Sequence, residues 1–233
     1  MRLVFLLAMV LEACTTPVKS EDYPTAQMDA NYDAACDGTS TVLTGVFTED
    51  GTTLATYVTL SDGDAVSASS GSNSVPLAEL DVGELISYVG GLPIIEQDTP
   101  FVFTLTRTVD DGAPDSEVTL PPPFELGPVS PAQSYSFGTN TLSLSWSGNT
   151  ADDPMSLDIS GDCIEEYTEV LDPDPGHIEI APGTFVGVNG RSGASCSLTA
   201  TLTRTREGTL DAGFAGGSVD ARQQRSASFG AAP

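Results

Sequence analysis

Basic residues are scarce in this chain: 8 lysines and arginines stand against 33 aspartates and glutamates, giving a formal net charge of −25 over 233 residues. An acidic excess of this size repels phosphate backbones, so nucleic acid is excluded as a partner. The single histidine, His177, excludes a histidine-rich zinc site. The sequence has no Cys-x-x-Cys pair either, which argues against a cysteine zinc or redox site.

Catalytic motifs are missing as well. Residues 190–194 (GRSGA) depart at their last position from the Gly-x-Ser-x-Gly elbow of serine hydrolases. His177, which a Ser-His-Asp system would have to use, lies in an acidic turn where an exposed side chain is expected. Carboxylate pairs recur in turns along the chain, so none of them singles out a glycosidase. We therefore predict that the protein is not an enzyme.

Long apolar runs are also missing. The run at residues 3–11 is far shorter than the roughly 20 residues that span a bilayer. One arginine precedes it, and its length is typical of the hydrophobic part of a signal peptide. The run closes with Leu11-Glu12-Ala13-Cys14.

A cysteine directly after a short apolar leader and a small residue resembles the lipobox of bacterial lipoprotein precursors. In that family the leader is cut before the cysteine, whose sulfur carries diacylglycerol. The resemblance implies a signal peptide at residues 1–13 and lipidation of Cys14, which would anchor the protein to the membrane. Thr15 stands where enteric inner-membrane lipoproteins have aspartate, so the implied location is the bacterial cell envelope, at the outer membrane. Ordinary signal-peptidase cleavage, without lipid, is the alternative.

Alternation of apolar and polar residues dominates the rest of the chain. Leucine and tryptophan alternate with serine at residues 142–146, and apolar residues alternate with polar ones at 155–160. This period of two predicts strands with one buried face, and it places Trp146 in the core. No segment has a convincing amphipathic helical pattern. The sequence therefore predicts an all-β protein.

A short internal repeat indicates two domains. FVFTLTRT at 101–108 matches LTATLTRT at 198–205, which aligns Arg107 with Arg204, and the sequence upstream aligns Asp64 with Asp153. Each arginine ends a strand and is expected to bind loop carbonyls or carboxylates. Repeats of roughly 90 to 100 residues suit seven-stranded antiparallel sandwiches, and residues 124–146 resemble the opening strands of bacterial Ig-like and fibronectin-type domains.

The predicted architecture is two tandem antiparallel Ig-like β-sandwiches, at residues 34–123 and 124–233. They follow the signal peptide and a flexible tether at residues 14–33, which is rich in Thr, Pro, Ser, Asp and Ala. Three consecutive prolines at 121–123 would make the joint between the domains extended and stiff.

The cysteines predict one disulfide. If Cys14 carries lipid, Cys36, Cys163 and Cys196 remain, and an exported protein meets an oxidising compartment. Neither Cys163 nor Cys196 has a counterpart in the first repeat, which favours a Cys163–Cys196 bridge inside the second domain. A bridge from Cys36 that ties the two domains together is the alternative.

Two further sets of residues are candidates for binding. Aspartates in turns could supply oxygen ligands to calcium, although capping of turns explains them equally well. The candidate calcium ligands are Asp62, Asp64, Asp172 and Asp174. Phe214 lies in a glycine-rich hairpin loop at residues 213–217, where it is either an exposed binding residue or a buried loop anchor.

These observations predict a lipid-anchored envelope protein that acts as a non-catalytic binding or adhesion module. The expected partners are the membrane, through the lipid, and a protein or a glycan of unknown identity. No cofactor is expected, with calcium as the exception noted above. A purely structural spacer and a hydrolase with an unrecognised site are the alternatives.

Overall fold

The computed structural model describes residues 16–51, 56–82, 85–131, 135–148, 153–188 and 195–232. These residues form 18 strands and two short 3₁₀ helices, Ser20–Asp22 and Thr25–Gln27. No helix of the described chain is long and apolar enough to cross a membrane. Cys14 and the predicted signal peptide lie outside the described residues.

The first ten strands, in chain order, are β1 (Val18–Lys19), β2 (Met28–Cys36), β3 (Thr41–Glu49), β4 (Val58–Thr59), β5 (Ala65–Ser70), β6 (Asn73–Pro76), β7 (Ala78–Val82), β8 (Leu85–Leu92), β9 (Pro100–Thr106) and β10 (Ala113–Thr119). The other eight are β11 (Glu125–Leu126), β12 (Tyr135–Ser136), β13 (Leu142–Ser147), β14 (Met155–Gly161), β15 (Tyr167–Leu171), β16 (His177–Ile180), β17 (Cys196–Glu207) and β18 (Gly216–Ala232).

Two layers of strands enclose the first hydrophobic core. Strands β10, β9, β5 and β6 form one sheet, and β18, β2, β3, β8 and β7 lie opposite. Every second residue of β2 is buried, as the period of a half-buried strand requires. The rings of Tyr32 from β2 and Phe103 from β9 stack across the core, with 4.6 Å between their centroids.

A second core lies between β11, β13 and β16 on one side and β15, β14, β17 and β18 on the other. Trp146 is buried in it, as predicted. The Cys163–Cys196 disulfide is present and belongs to this core, whereas Cys36 is free and buried in the first. The predicted all-β fold with two β-sandwiches is thus confirmed. Most strand pairs are antiparallel as predicted, but β1–β4, β12–β18 and β18–β2 are parallel.

One long strand joins the two sandwiches. Residues 216–223 of β18 pair in parallel with β2, while residues 220–231 pair antiparallel with β17. Val219 and Ala221 accordingly belong to the first core, and Phe229 and Ala231 belong to the second. The first sandwich therefore takes a strand from the end of the chain, which differs from the predicted division of the domains at residue 124.

The predicted tether at residues 14–33 is corrected over its described part. Val18 pairs with Val58 of β4, and Met28 is fully buried at the start of β2. Arg107 holds the segment between them, because its guanidinium donates hydrogen bonds to Ser20 O at 2.5 Å and to Tyr23 O at 3.1 Å. Polar bonds hold most of this segment, and Val18 and Tyr23 pack singly against the first core, which is why the sequence shows no apolar periodicity there.

Candidate functional site

Of the candidate calcium ligands Asp62 and Asp64, Asp64 forms a buried ion pair with Arg107. Arg107 Nε lies 2.6 Å from Asp64 Oδ2, and both side chains are 1% exposed. Burial raises the pKa of Asp64, but hydrogen bonds from Ser20 and Thr108 and the charge of Arg107 outweigh it and keep that pKa below its usual value. Asp62, the other member, is exposed.

Of the other two candidates, Asp172 and Asp174, Asp174 forms a similar buried ion pair in the second sandwich. Arg204 Nη2 lies 2.5 Å from Asp174 Oδ2, and neither side chain is exposed. Burial raises the pKa of Asp174, whereas hydrogen bonds from Gly176, Arg204 and Trp146 lower it, and the net direction is down. Asp172 is exposed. The expectation that each repeated arginine binds a carboxylate is confirmed.

These contacts make the aspartates poor calcium ligands. Calcium takes six to eight oxygens, but one carboxylate of each pair is already engaged by a buried arginine and the other points into solvent. Across the described residues, one group of three metal-ligating side chains is close enough to share an ion, namely Asp162, Cys163 and Cys196. Its two sulfurs are joined in the disulfide and are not thiolates.

Phe214 is a loop anchor rather than an exposed binding residue. It is 7% exposed, and its ring lies 6.1 Å from that of Tyr32 and 6.2 Å from that of Phe47. The loop that carries it is held by a hydrogen bond from Ala215 N to Met28 O. The glycine-rich sequence reflects a tight loop that returns to the first core, so the structure shows the second of the two predicted alternatives, a buried loop anchor.

His177 is exposed at the start of β16, as expected. Its Nδ1 lies 3.2 Å from the carbonyl oxygen of Pro175. Within the described chain, no serine, threonine or carboxylate forms a hydrogen bond with this ring. The described residues therefore do not form a Ser-His-Asp system around it, while the GRSGA segment at residues 190–194 lies outside them.

The sandwiches meet at a cleft of about 490 Å³, which we call the junction cleft. Its walls come from the β2–β3 turn, the proline joint, the end of β13 and the middle of β18. The lining residues are Asp37, Gly38, Thr39, Pro123, Phe124, Glu125, Ser147 and Arg225. Gly38 has a φ of +95°, which strains other residues, and a Cβ there would lie 2.9 Å from the Arg225 guanidinium and would displace the end of that side chain.

Arg225 is the unusual member of this cleft. Its guanidinium donates hydrogen bonds to Gln224 O at 2.8 Å and Cys36 O at 3.3 Å, and it lies 5.5 Å from the ring centroid of Phe124. No described carboxylate lies at ion-pair distance from it. The other four described arginines are all ion-paired: Arg107, Arg204, Arg206 and Arg222.

Acceptors lie beside this cation. Asp37 Oδ1 accepts hydrogen bonds from Thr39 Oγ1, Thr39 N and Ser40 N at 2.7 to 3.0 Å. These bonds, led by that of the Thr39 hydroxyl, together with the nearby charge of Arg225 lower the pKa of Asp37 to about 2, so the carboxylate is ionised. Glu125 is exposed on the opposite wall. The cleft thus offers guanidinium donors, two carboxylate acceptors and the hydroxyls of Thr39 and Ser147.

The junction has a fixed geometry because several contacts cross it. Arg206 from β17 bonds to Asp153 Oδ1 in the second sandwich at 2.8 Å and to Asp98 Oδ1 in the first at 2.7 Å. Arg204 donates to the carbonyl of Pro122 in the joint at 2.8 Å. This site could not be predicted from the sequence because its residues come from four distant segments and match no motif.

No protein-family model matches the chain, and no curated protein matches it. Similar solved structures include the FN1–FN3 domains of chicken CNTN1, with 9% identity, coverage of 93% of this chain and 66% of that chain, and a TM-score of 0.27. The Yersinia pseudotuberculosis adhesin InvE has 10% identity, 84% and 58% coverage, and a TM-score of 0.23. A third is SGBP-B of the Bacteroides ovatus mixed-linkage glucan utilization locus, in complex with a mixed-linkage heptasaccharide. It has 11% identity, coverage of 97% of this chain and 69% of that chain, and a TM-score of 0.21. Likeness at these TM-scores carries no information on what this chain binds.

Proposed function

We propose that the protein is a non-catalytic binding module of the bacterial cell envelope and that its junction cleft binds a neutral saccharide. One observation carries the proposal: Arg225, which has no carboxylate at ion-pair distance in the described chain, shares a cleft with the acceptors Asp37 and Glu125. Cavities at domain junctions with a few convergent polar groups are the usual sites of ligand binding.

The charges of the cleft favour a neutral polyhydroxyl ligand. An anionic ligand would face Asp37, Glu125 and a net charge of −25, whereas a cationic one would meet Arg225. Hydroxyl groups donate to carboxylates and accept from a guanidinium, so a sugar satisfies both kinds of group at once. The crossing of β18 through both sandwiches fixes the walls before binding, which lowers the entropic cost of association.

Removing the cleft's polar groups is expected to weaken saccharide binding. Arg225→Gln and Glu125→Gln should each reduce affinity at least about tenfold, since each leaves a sugar hydroxyl without a charged partner. A glycan array identifies a neutral oligosaccharide ligand, and isothermal titration calorimetry then measures its dissociation constant for each variant.

Matched controls separate the cleft from surface charge in general. Lys19→Gln and Glu117→Gln change the same charges at exposed positions away from the cleft and should leave the dissociation constant unchanged. Equal effects of cleft and control variants, or an array without any neutral glycan bound, would refute the saccharide assignment and favour a spacer or a protein-binding module.

The proposal includes lipidation of Cys14 and attachment to the outer membrane. Residues 15–17 separate Cys14 from Val18 of β1, so an extended connection would span at most about 14 Å. The lipid would therefore hold the first sandwich close to the headgroups rather than on a long tether.

Mass spectrometry of protein extracted from membranes should show a diacylglyceryl group on Cys14 as the first residue. Cys14→Ser should abolish the lipid and release the protein into the soluble fraction, with Cys36→Ser as the control that leaves both unchanged. Soluble mature protein with an unmodified Cys14 would contradict this prediction.

A further inference from the structure

Strand β7 is an exposed edge of the largest sheet. It pairs with β8 on one side and has no described strand on its other side, and all five of its residues are exposed. A free edge presents unpaired N–H and C=O groups that can accept a further strand. Natural edges are usually protected by proline, a bulge or charged side chains, and β7 (AELDV) has two carboxylates as its only protection of this kind.

One face of this edge is apolar. The register pairs Leu80 with Ser87 and Val82 with Leu85, so these side chains share the outer face of the sheet. Leu80 is 49%, Val82 62% and Leu85 46% exposed. A strand added to β7 would cover these residues and bury apolar area that now faces water.

The other face of β7 is acidic. Glu79 pairs with Tyr88 and Asp81 with Ile86, and both partners are buried, so the two carboxylates lie on the core-facing side of the strand. Antiparallel pairing of β7 with a second copy, centred on Leu80, would set Glu79 opposite Asp81 and Asp81 opposite Glu79. Directly opposed like charges are destabilising, so the edge rejects its own sequence.

The other free edges of the described sheets are less suitable. Strand β10 has a bulge between Ala113 and Ser116, and Glu117 is already bridged to Thr209. Strand β6 ends in Pro76, and β15 ends in the buried Leu171. Strands β11 and β16 have two and four residues. Only β7 combines full exposure with a clear division into an apolar and an acidic face.

We infer that β7 is a docking site for an extended segment of a partner protein in which apolar residues alternate with lysine or arginine. The segment would pair with β7 as an added strand, with its apolar side chains beside Leu80 and Val82 and its basic ones beside Glu79 and Asp81. The period of two along a strand matches this alternation on both faces. The inference goes beyond saccharide binding and does not depend on the junction cleft.

A fluorescent, acetylated peptide of alternating lysine and valine, about eight residues long, is the probe. It should bind the full chain more tightly than the corresponding Glu-Val peptide, as measured by fluorescence anisotropy. The Glu79→Lys/Asp81→Lys double variant should weaken Lys-Val binding about tenfold and strengthen Glu-Val binding, because two attractive cross-strand pairs become repulsive.

The Asp115→Lys/Glu117→Lys double variant is the matched control, since it makes the same charge change at exposed positions of β10. It should alter Lys-Val binding by no more than about twofold, as expected for nonspecific charge. Hydrogen exchange should show the β7 amides becoming protected when the Lys-Val peptide binds. Equal effects of the two double variants, protection outside β7, or no binding at millimolar peptide would overturn the inference.

Discussion

Replacement of Arg204 by methionine is expected to destabilise the protein by about 3 to 5 kcal/mol, because it leaves the buried carboxylate of Asp174 without its partner. Neither side chain of this pair is exposed, and the two charged atoms lie 2.5 Å apart. The guanidinium also lies 5.2 Å from the ring centroid of Phe124, a cation–π contact that methionine would lose. Trp146 Nε1 and Gly176 N still donate to Asp174 but do not neutralise it.

Urea unfolding followed by fluorescence of the single tryptophan, Trp146, measures the change. Arg222→Met is the control: its ion pair with Asp33 is partly exposed, with side chains 42% and 21% accessible, so a loss of at most about 1 kcal/mol is expected. Adding Asp174→Asn to Arg204→Met should recover part of the loss by removing the buried charge. An Arg204→Met variant as stable as Arg222→Met would show that the pair is solvated.

The role of the two arginines could be predicted from the sequence because it depends on local pattern. Arg107 directly follows β9 and Arg204 lies within β17, both in phase with the inward-facing residues, where a buried charge must find a partner. The identity of the partner could not be predicted. Asp64 binds Arg107 in the first sandwich, but its aligned counterpart Asp153 binds Arg206 instead.

The reason is a change of register between the repeats. In the first sandwich Val66 of β5 lies opposite Leu105. The repeat aligns Val66 with Met155 and Leu105 with Leu202. In the second sandwich, however, Leu202 lies opposite Leu157 of β14, two residues beyond Met155. A slip of two residues keeps every side chain on its face, so the apolar pattern cannot detect it.

The two-sandwich fold followed from periodicity, but the shared strand did not. Pairing of β18 with β2 joins residues as far apart as Gly216 and Asp29, and nothing in either segment specifies so distant a partner. The junction cleft was missed for the same reason, since that crossing brings Arg225 beside Asp37. The burial of Phe214 could not be predicted for a local reason, because a glycine-rich loop has the same sequence whether its aromatic residue is exposed or buried.

Stability is expected to rise as the pH falls from 7 towards about 4, with most of the rise where carboxylates begin to be protonated, and then to decline below about pH 4. The rise follows from the net charge of −25, since protonation of exposed carboxylates relieves their mutual repulsion. Asp33 adds to it: burial raises its pKa despite the Arg222 ion pair, so its contribution to stability is lost as the pH rises through that pKa.

The decline in stability below about pH 4 comes from buried carboxylates that lose their charge. The pKa values of Asp64 and Asp174 are lowered in the folded state, so the stability these groups contribute is fully present above their unfolded pKa, near 3.9. It is lost as the pH falls through the folded pKa and the buried arginines lose their partners. Thermal unfolding between pH 7 and 2 should therefore show a maximum rather than a plateau.

Salt distinguishes the two limbs of this profile. In about 1 M sodium chloride the Debye length is near 3 Å, so repulsion between surface carboxylates is screened and the rise above about pH 4 should flatten. The acid limb should persist, because the ion pairs of Asp64 and Asp174 are at most 1% exposed and are screened far less. Asp64→Asn should make that limb shallower, whereas Asp62→Asn, an exposed neighbour, should not. A profile that salt flattens at both ends would mean that surface charge alone governs the stability of this protein and that its buried ion pairs contribute nothing to it.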